Sequence, residues 1–464
     1  MLLATILFPF QNIETHQFLG LLFSEDVSES QTLFTFNKTM KNFYLMSLIF
    51  FGHIIVNGQD CLCITVEDHF NIESERPISV VLNTEKKKCW NKDMVLVKKN
   101  GAKKETIPYQ IDPEDKNKIW FKHNNNSGIK NTYCFKEKKH KKNTPFFNYK
   151  KEDGNLELKF GDQSLIQYRY EMKLPPEGIN KLYQKSGYIH PVISPKGDTL
   201  TRIQPPDHYH HYGVWGPWTR TRIDDVSVDF WNLKDAQGTV LFKNFDNIDS
   251  GTVYGGFTAH QEHLNLTPKK GPQLALNEKL MVRVWKNKNP DHYFIDYNTN
   301  FSSPLKNGIL FEAYRYGGGL GFRFKEQWNK DNCEVITSEG KNRAAADGTS
   351  ARWCIVYGDA HDGQGSTGVL FMSHPDNQSH PEPMRVWPMN ANNGRGDMFF
   401  EFCPIRHKEW KIEPQKSYEL KYRMLIFDGK ITPEEAEKHW KAFAFQPLIE
   451  IINNQINEKK KVYR

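Results

Sequence analysis

From Leu156 onward, apolar and polar residues alternate in short segments separated by turn-forming residues. Examples are Leu165–Met172, Val226–Trp231, Leu280–Trp285, Tyr293–Tyr297, Trp353–Tyr357, Gly368–Met372 and Tyr418–Phe427. A period of two puts successive side chains on opposite faces of a strand, and the Thr, Tyr, Phe and Val content suits a pleated surface. No helical stripe interrupts this pattern before residue 430. So many strands at this spacing predict two stacked antiparallel sheets. One helix is signalled afterwards: Thr432 is an N-cap, Pro433 sits at N1, and Glu435 closes a capping box ahead of Ala436, Trp440 and Phe443. The expectation is an all-β chain: a large antiparallel β-sandwich over 156–430, then a C-terminal helix and polar tail over 431–464. The stretch Asn453–Arg464 is expected to fray.

The earlier part of the chain has a different texture. Residues 59–155 predict a small β-sandwich domain with basic loops, its lysines clustered at Lys86–Lys88, Lys98–Lys99 and Lys136–Lys142 around apolar stretches such as Met94–Val97 and Ile119–Phe121. This surface reads equally well as a solvated face or as one that steers an anionic ligand. Residues 40–58 have a charged start at Lys41, an apolar run from Phe43 to Val56 and a small residue at Gly58, the pattern of a signal peptide. The run is too short and wrongly flanked for a membrane span. Residues 1–39 read as an upstream start-site extension. The expectation is therefore an exported protein, periplasmic or secreted, with no membrane span and no nucleic-acid partner. Seven cysteines in no paired CxxC spacing define neither a zinc module nor a disulfide framework, so at most one disulfide is expected in the first domain.

Candidate chemistry concentrates in Thr201–Trp218, TRIQPPDHYHHYGVWGPW. Pro205 and Pro206 stiffen its entry, while Gly213 and Gly216 let its exit bend, so it reads as a shaped loop. It holds Arg202, Asp207, His208, His210 and His211 together with Trp215 and Trp218. Imidazoles carry protons near neutral pH or bind metals, and flat rings suit the apolar faces of sugars. If the backbone is extended there, His208 and His210 share a side and His211 opposes them. No nucleotide loop is present: Tyr316–Phe324, YGGGLGFRF, lacks the strand-to-helix context of a dinucleotide fingerprint.

Four motifs carry a resemblance: SGYIHPVISPKGDTLTR (Ser186–Arg202), PPDHYHHYGVWG (Pro205–Gly216), FEAYRYGGGLGFR (Phe311–Arg323) and SHPDNQSHPEP (Ser373–Pro383). Over about residues 160–445 the chain resembles the "methane oxygenase PmoA-like" domain family, whose members occur in exported carbohydrate-degrading systems. Its export signal and basic first domain are most similar to the oligosaccharide dehydratases of ulvan-utilisation loci. Ulvan is a sulfated polymer of rhamnose and uronic acids, so the resemblance implies an anionic oligosaccharide substrate. The implied reaction is a lyase elimination of water from the uronic acid at the non-reducing end.

Such a reaction needs a cation on the carboxylate, a base for the C5 proton and an acid for the departing 4-hydroxyl. His208, His210, His211 and Tyr316 are the candidates for base and acid. Arg202 and Arg323 are the candidates for the carboxylate clamp, since guanidinium pairs with carboxylate through two hydrogen bonds. Arg323 has an alternative role in a buried ion pair with Glu312. His190, Trp215, Trp218, Glu312, His374 and His380 complete the candidate substrate-binding set, and His190, His374 and His380 read equally as packing residues. His260 and Glu262 weigh less. No cofactor is implied. The variant reading is a divalent metal on His208, His210, His211 and Asp207, although their spacing matches no strong signature. Two other classes stay open. One is a glycoside hydrolase, for which Glu312, Asp229 and Glu262 form no evident pair; the other is a carbohydrate-binding protein without turnover.

Overall fold

The computed structural model describes residues 62–68, 75–83, 90, 94–100, 103–124, 130–137, 146–361 and 363–452, and the backbone of 459–462. All of these lie within the unit Gly58–Arg464. The start-site extension, the signal peptide, Lys86–Lys88, Cys61 and Cys89 lie outside the described residues. Among those described, no helix is long and apolar enough to cross a membrane.

The strand Lys118–His123, KIWFKH, shows how alternation becomes structure: Ile119, Phe121 and His123 are buried while their neighbours are half-exposed. It is the middle of a three-stranded sheet with Arg76–Val81 and Tyr109–Ile111. A second sheet runs in the order Lys459–Val462, Leu448–Ile452, Cys63–Glu67, Lys130–Glu137, Met94–Asn100, Lys103–Ile107. The two sheets share a core that includes Ile64, Val66, Ile78, Leu96, Phe121 and Tyr133, which makes a small β-sandwich. The end of the chain therefore returns to the first sandwich. Leu448–Ile452 pairs antiparallel with Cys63–Glu67, and Lys459–Val462 adds beyond it, where fraying was expected.

Cys63 and Cys134 are directly opposed on neighbouring strands and form a disulfide, the single one among the described residues. It links positions 71 residues apart. Replacing both by serine is expected to lower the unfolding free energy by about 2–4 kcal/mol through the freed unfolded chain. Urea titration reads this directly, and an unchanged midpoint contradicts it.

The larger body is built mainly of two antiparallel sheets, as the alternation predicts, with a smaller four-stranded sheet beside them. One runs Ser350–Ala351, Glu382–Val386, Phe399–Phe402, Leu320–Arg323, Val214–Trp215, Tyr188–Val192, Gln163–Arg169, Asn155–Phe160, Phe147–Glu152. The other has eight strands, from Gly238–Asp249 at one edge to Cys333–Thr337 at the other. Inward side chains of both, such as Ile166, Ile189, Phe322 and Phe400 from the first and Phe257, Val282, Leu370 and Met424 from the second, form one continuous core. The helix Pro433–Ala444 is capped by Thr432 and Glu435 as expected, and buries Ala436, Trp440 and Phe443. The indole N–H of Trp440 donates to the Ser373 carbonyl at 3.0 Å, which docks the helix onto the eight-stranded sheet.

Candidate functional site

The central strands of the nine-stranded sheet position the histidine loop. Val214 and Trp215 pair with Phe322 and Gly321, and the Arg202 N–H donates to the Arg323 carbonyl at 3.1 Å. Between these anchors the chain folds back on itself: Ile203 bridges Tyr212, and Gln204 N–H donates to the His211 carbonyl. Gly213 closes this hairpin at φ +60°, where a side chain would lie 2.2 Å from the Ile189 carbonyl oxygen. Two consecutive turns follow the prolines, with His208 N–H donating to Pro205 O and His211 N–H to His208 O. The backbone is therefore not extended, and His211 does not oppose the other two. All three rings gather, their centroids 4.8–5.4 Å apart.

The rings rest on an aromatic floor. His211 is buried against Trp215, Trp231, Trp387 and Phe399. His210 meets Trp231 edge-on and His208 packs on Trp387. Tyr316 closes the far side, 5.4 Å from Trp231, and its hydroxyl accepts from Arg385 Nη2 at 3.1 Å. Arg385 is held in turn by Asp347. His208 and Tyr316 are both partly exposed at the edges of this floor.

Charge is laid out beneath and beside the imidazoles. Arg323 is fully buried, lies over Trp387 and donates through Nη2 to Asp397 at 2.6 Å. Asp397 also accepts from Arg395 and Asn392, and Arg202 Nη1 lies 3.9 Å from it. Asp207 accepts from Asn392 and Arg395, and its carboxylate lies 3.2 Å from His208 Nδ1. Burial, aided by the neighbouring Arg323 cation, lowers all three histidines: His208 below its ordinary range against the pull of Asp207, His210 to about 3, and His211 well below its ordinary value. All three are neutral near pH 7.

Several buried donors at this floor have no hydrogen-bond partner within the protein. They are the indole nitrogens of Trp215, Trp231 and Trp387 and the Nε and Nη1 atoms of Arg323, alongside His208 Nδ1 and His211 Nδ1. Buried polar atoms are normally satisfied, because an unpaired one costs about 1–3 kcal/mol.

The other candidates are dispersed. Trp218 is not at the site: the Gly216–Pro217 turn sends it into the core, stacked on Phe311 at 4.1 Å. Glu312 does not pair with Arg323; it binds Arg222 at 2.6 Å on a separate four-stranded sheet. His374 and His380 sit against the C-terminal helix, touching Phe443 and Trp440 respectively. They belong to a polar knot in which Ser373, Asn377 and Tyr422 donate to the buried Glu382. His260 pairs with Asp246 and Glu262 with Lys243 near the surface. His190 and Arg202 line a cavity of about 820 Å³ walled in part by the Arg202–Pro206 segment. Among the described residues, no group of three or more His, Cys, Asp or Glu side chains is arranged to hold a metal ion.

Trp231, Arg385, Trp387, Arg395 and Asp397 escaped the sequence reading. For Trp387, Arg395 and Asp397 the best signal is Val386–Phe400, VWPMNANNGRGDMFF, a Pro-, Asn- and Gly-punctuated run that carries a charged pair. It resembles the histidine loop in texture, and it reaches the site because Phe399–Phe402 pairs with Leu320–Arg323.

Residues 155–441 match the model of a family of unknown function (DUF6807), and the chain belongs to that family. No curated protein matches it in sequence. Among solved structures it is similar to heparan sulfate lyase HepC from Pedobacter heparinus, at 11% identity and a TM-score of 0.30, over 68% of this chain and 40% of that one. It is also similar to a galactose mutarotase related enzyme from Lactobacillus acidophilus, at 8% identity and a TM-score of 0.25, over 61% of this chain and 100% of that one. The chain thus spans less than half of the length of the lyase.

Proposed function

We propose that this member of the DUF6807 family is an exported carbohydrate-active lyase that removes water from the uronic acid at the non-reducing end of ulvan-type oligosaccharides. The observation that carries this reading is the gathering of three neutral imidazoles, a tyrosine and several unpartnered donors over one aromatic floor. The aromatic floor suits the apolar face of a sugar ring, and the donors suit its oxygens.

His208 is the base. Its partner Asp207 stabilises the imidazolium that forms when the C5 proton is taken, and Arg395 and Asn392 hold that carboxylate in place. Tyr316 is the acid: its oxygen accepts from Arg385, so its own proton is free to be given away. The electrons of the C5–H bond form the C4–C5 double bond, the C4–O bond breaks, and the departing hydroxyl takes the Tyr316 proton to leave as water. Solvent then carries the proton from His208 back to Tyr316. Arg395, half-exposed, and Arg202 beside it are the cations for the substrate carboxylate, while burial, aided by Arg323, keeps the imidazoles neutral. The glycoside hydrolase alternative finds little support, since Glu312, Asp229 and Glu262 are each engaged by other groups.

Incubation with uronate-terminated ulvan oligomers tests the reading. Ultraviolet absorbance of the conjugated enol acid is expected to rise without new reducing ends. Absorbance with new reducing ends means chain-cleaving elimination, new reducing ends alone mean hydrolysis, and neither means binding without turnover.

The pH profile gives a further expected outcome. A base works only when unprotonated, so kcat/KM rises with pH through the His208 pKa and then levels. Because burial lowers that pKa, the acidic limb is expected below about pH 6.5, the ordinary imidazole value. A limb centred above it excludes His208 as the base.

A further inference from the structure

Tyr316 is followed by three glycines, Gly317, Gly318 and Gly319, with φ angles of +130°, +84° and +60°. Glycine has more backbone freedom to lose than any other residue, so this run holds the tyrosine in place only where something grips it. One cross-strand pair does so. Arg385 and Glu401 are directly opposed on the neighbouring strands Glu382–Val386 and Phe399–Phe402, and their side chains leave the same face of the sheet. Arg385 Nη2 donates to the Tyr316 hydroxyl at 3.1 Å, and Glu401 Oε1 accepts from the Gly317 N–H at 2.6 Å. One member of the pair holds the tip of the tyrosine and the other holds the peptide that follows it.

Glu401 is fully buried, and the Gly317 contact is the one hydrogen bond its carboxyl makes among the described residues. Burial drives its pKa well above the usual carboxylate range, against the pull of the Gly317 N–H, Arg385 and Arg406. Near pH 7 it is therefore a neutral acid. An ionised carboxylate here would compete for the guanidinium that Tyr316 and Asp347 share; a neutral one accepts from Gly317 and leaves Arg385 to them. Beyond the end of the same strand, the Cys403 thiol donates to the Gly317 carbonyl at 3.4 Å, so Gly317 is held at both its N–H and its carbonyl.

We propose that Glu401 is a positioning residue, which fixes Tyr316 beside the aromatic floor through the Gly317 N–H without touching the substrate. That Tyr316 gives up a proton rests on the dehydratase reading; that Glu401 sets its place does not. What the tyrosine needs from position 401 is an acceptor at this reach, not a charge.

The test uses the full protein carrying fluorotyrosine at position 316, with Glu401→Met and Glu401→Gln. Fluorine NMR needs no turnover. Glu401→Met, which roughly keeps the volume and removes the acceptor, is expected to shift or split the fluorine line, and Glu401→Gln, which keeps a neutral acceptor, to return it. With uronate-terminated oligomers, Glu401→Met is expected to lower kcat by about 10–10²-fold, the scale of a misplaced catalytic group, with KM little changed. Glu401→Gln is expected to recover that loss to within about threefold. In a Tyr316→Phe background, Glu401→Met is expected to cost nothing further, because it acts through the tyrosine. Should Glu401→Met fail to fold, Glu401→Asp, which withdraws the acceptor by one methylene, carries the same expectations. The proposal is overturned if removing or withdrawing the acceptor leaves the fluorine line unmoved, if Glu401→Gln behaves as Glu401→Met does, or if the loss persists in full in the Tyr316→Phe background. A parent without absorbance change, beside a fluorine line that moves and returns as stated, sinks the dehydratase reading alone.

Discussion

Replacing His208 with alanine is expected to lower kcat by about 10²–10⁴-fold, the usual scale for losing a positioned general base. KM should change far less, because the base acts mainly in the transition state. The side chain is partly exposed, so its removal leaves the core intact. Asp207→Asn should produce a smaller loss in the same parameter, since it removes only the support for the imidazolium. Steady-state kinetics on both variants decides the point. Turnover of His208→Ala within about threefold of the parent means that another group takes the proton.

The second large effect is on stability. Trp218 was grouped with the sugar-facing aromatics on sequence, yet it is 3% exposed and packs among Phe301, Phe311 and Trp410. The surrounding chain is shaped to it: a Cβ on Gly318 would fall 1.9 Å from its ring. Trp218→Ala is expected to cost about 3–5 kcal/mol of unfolding free energy, the usual penalty for emptying a large buried aromatic site. Denaturant unfolding measures it, and a loss below about 1 kcal/mol contradicts this placement.

These two residues also show where reading the sequence succeeds and where it stops. Alternation made the strands legible because period two has one structural meaning, and the helix was legible because its cap, Thr432 to Glu435, is written in consecutive residues. The histidine loop stood out for the same reason, with its chemistry packed into Thr201–Trp218. Placement of individual side chains within that loop was not legible. Trp215 and Trp218 differ by a single Gly–Pro turn, yet one floors the site and the other fills the core. Pairing at a distance was hidden as well. Arg323 finds Asp397 rather than Glu312 because Leu320–Arg323 lies beside Phe399–Phe402, a register that no local pattern announces. His374 and His380 carried the same composition signal as the site, but the strand they follow, Ser366–Ser373, belongs to the eight-stranded sheet and delivers them to the C-terminal helix.

The central claim is the loss of one water from an intact oligosaccharide at the His208 site. Mass spectrometry of a uronate-terminated oligomer after incubation with the parent and with His208→Ala measures it most directly. The expected product is lighter than its substrate by one water and otherwise unbroken, formed by the parent and nearly absent with the variant. Fragments whose masses sum to substrate plus one water, or an unchanged substrate with the parent, would contradict it.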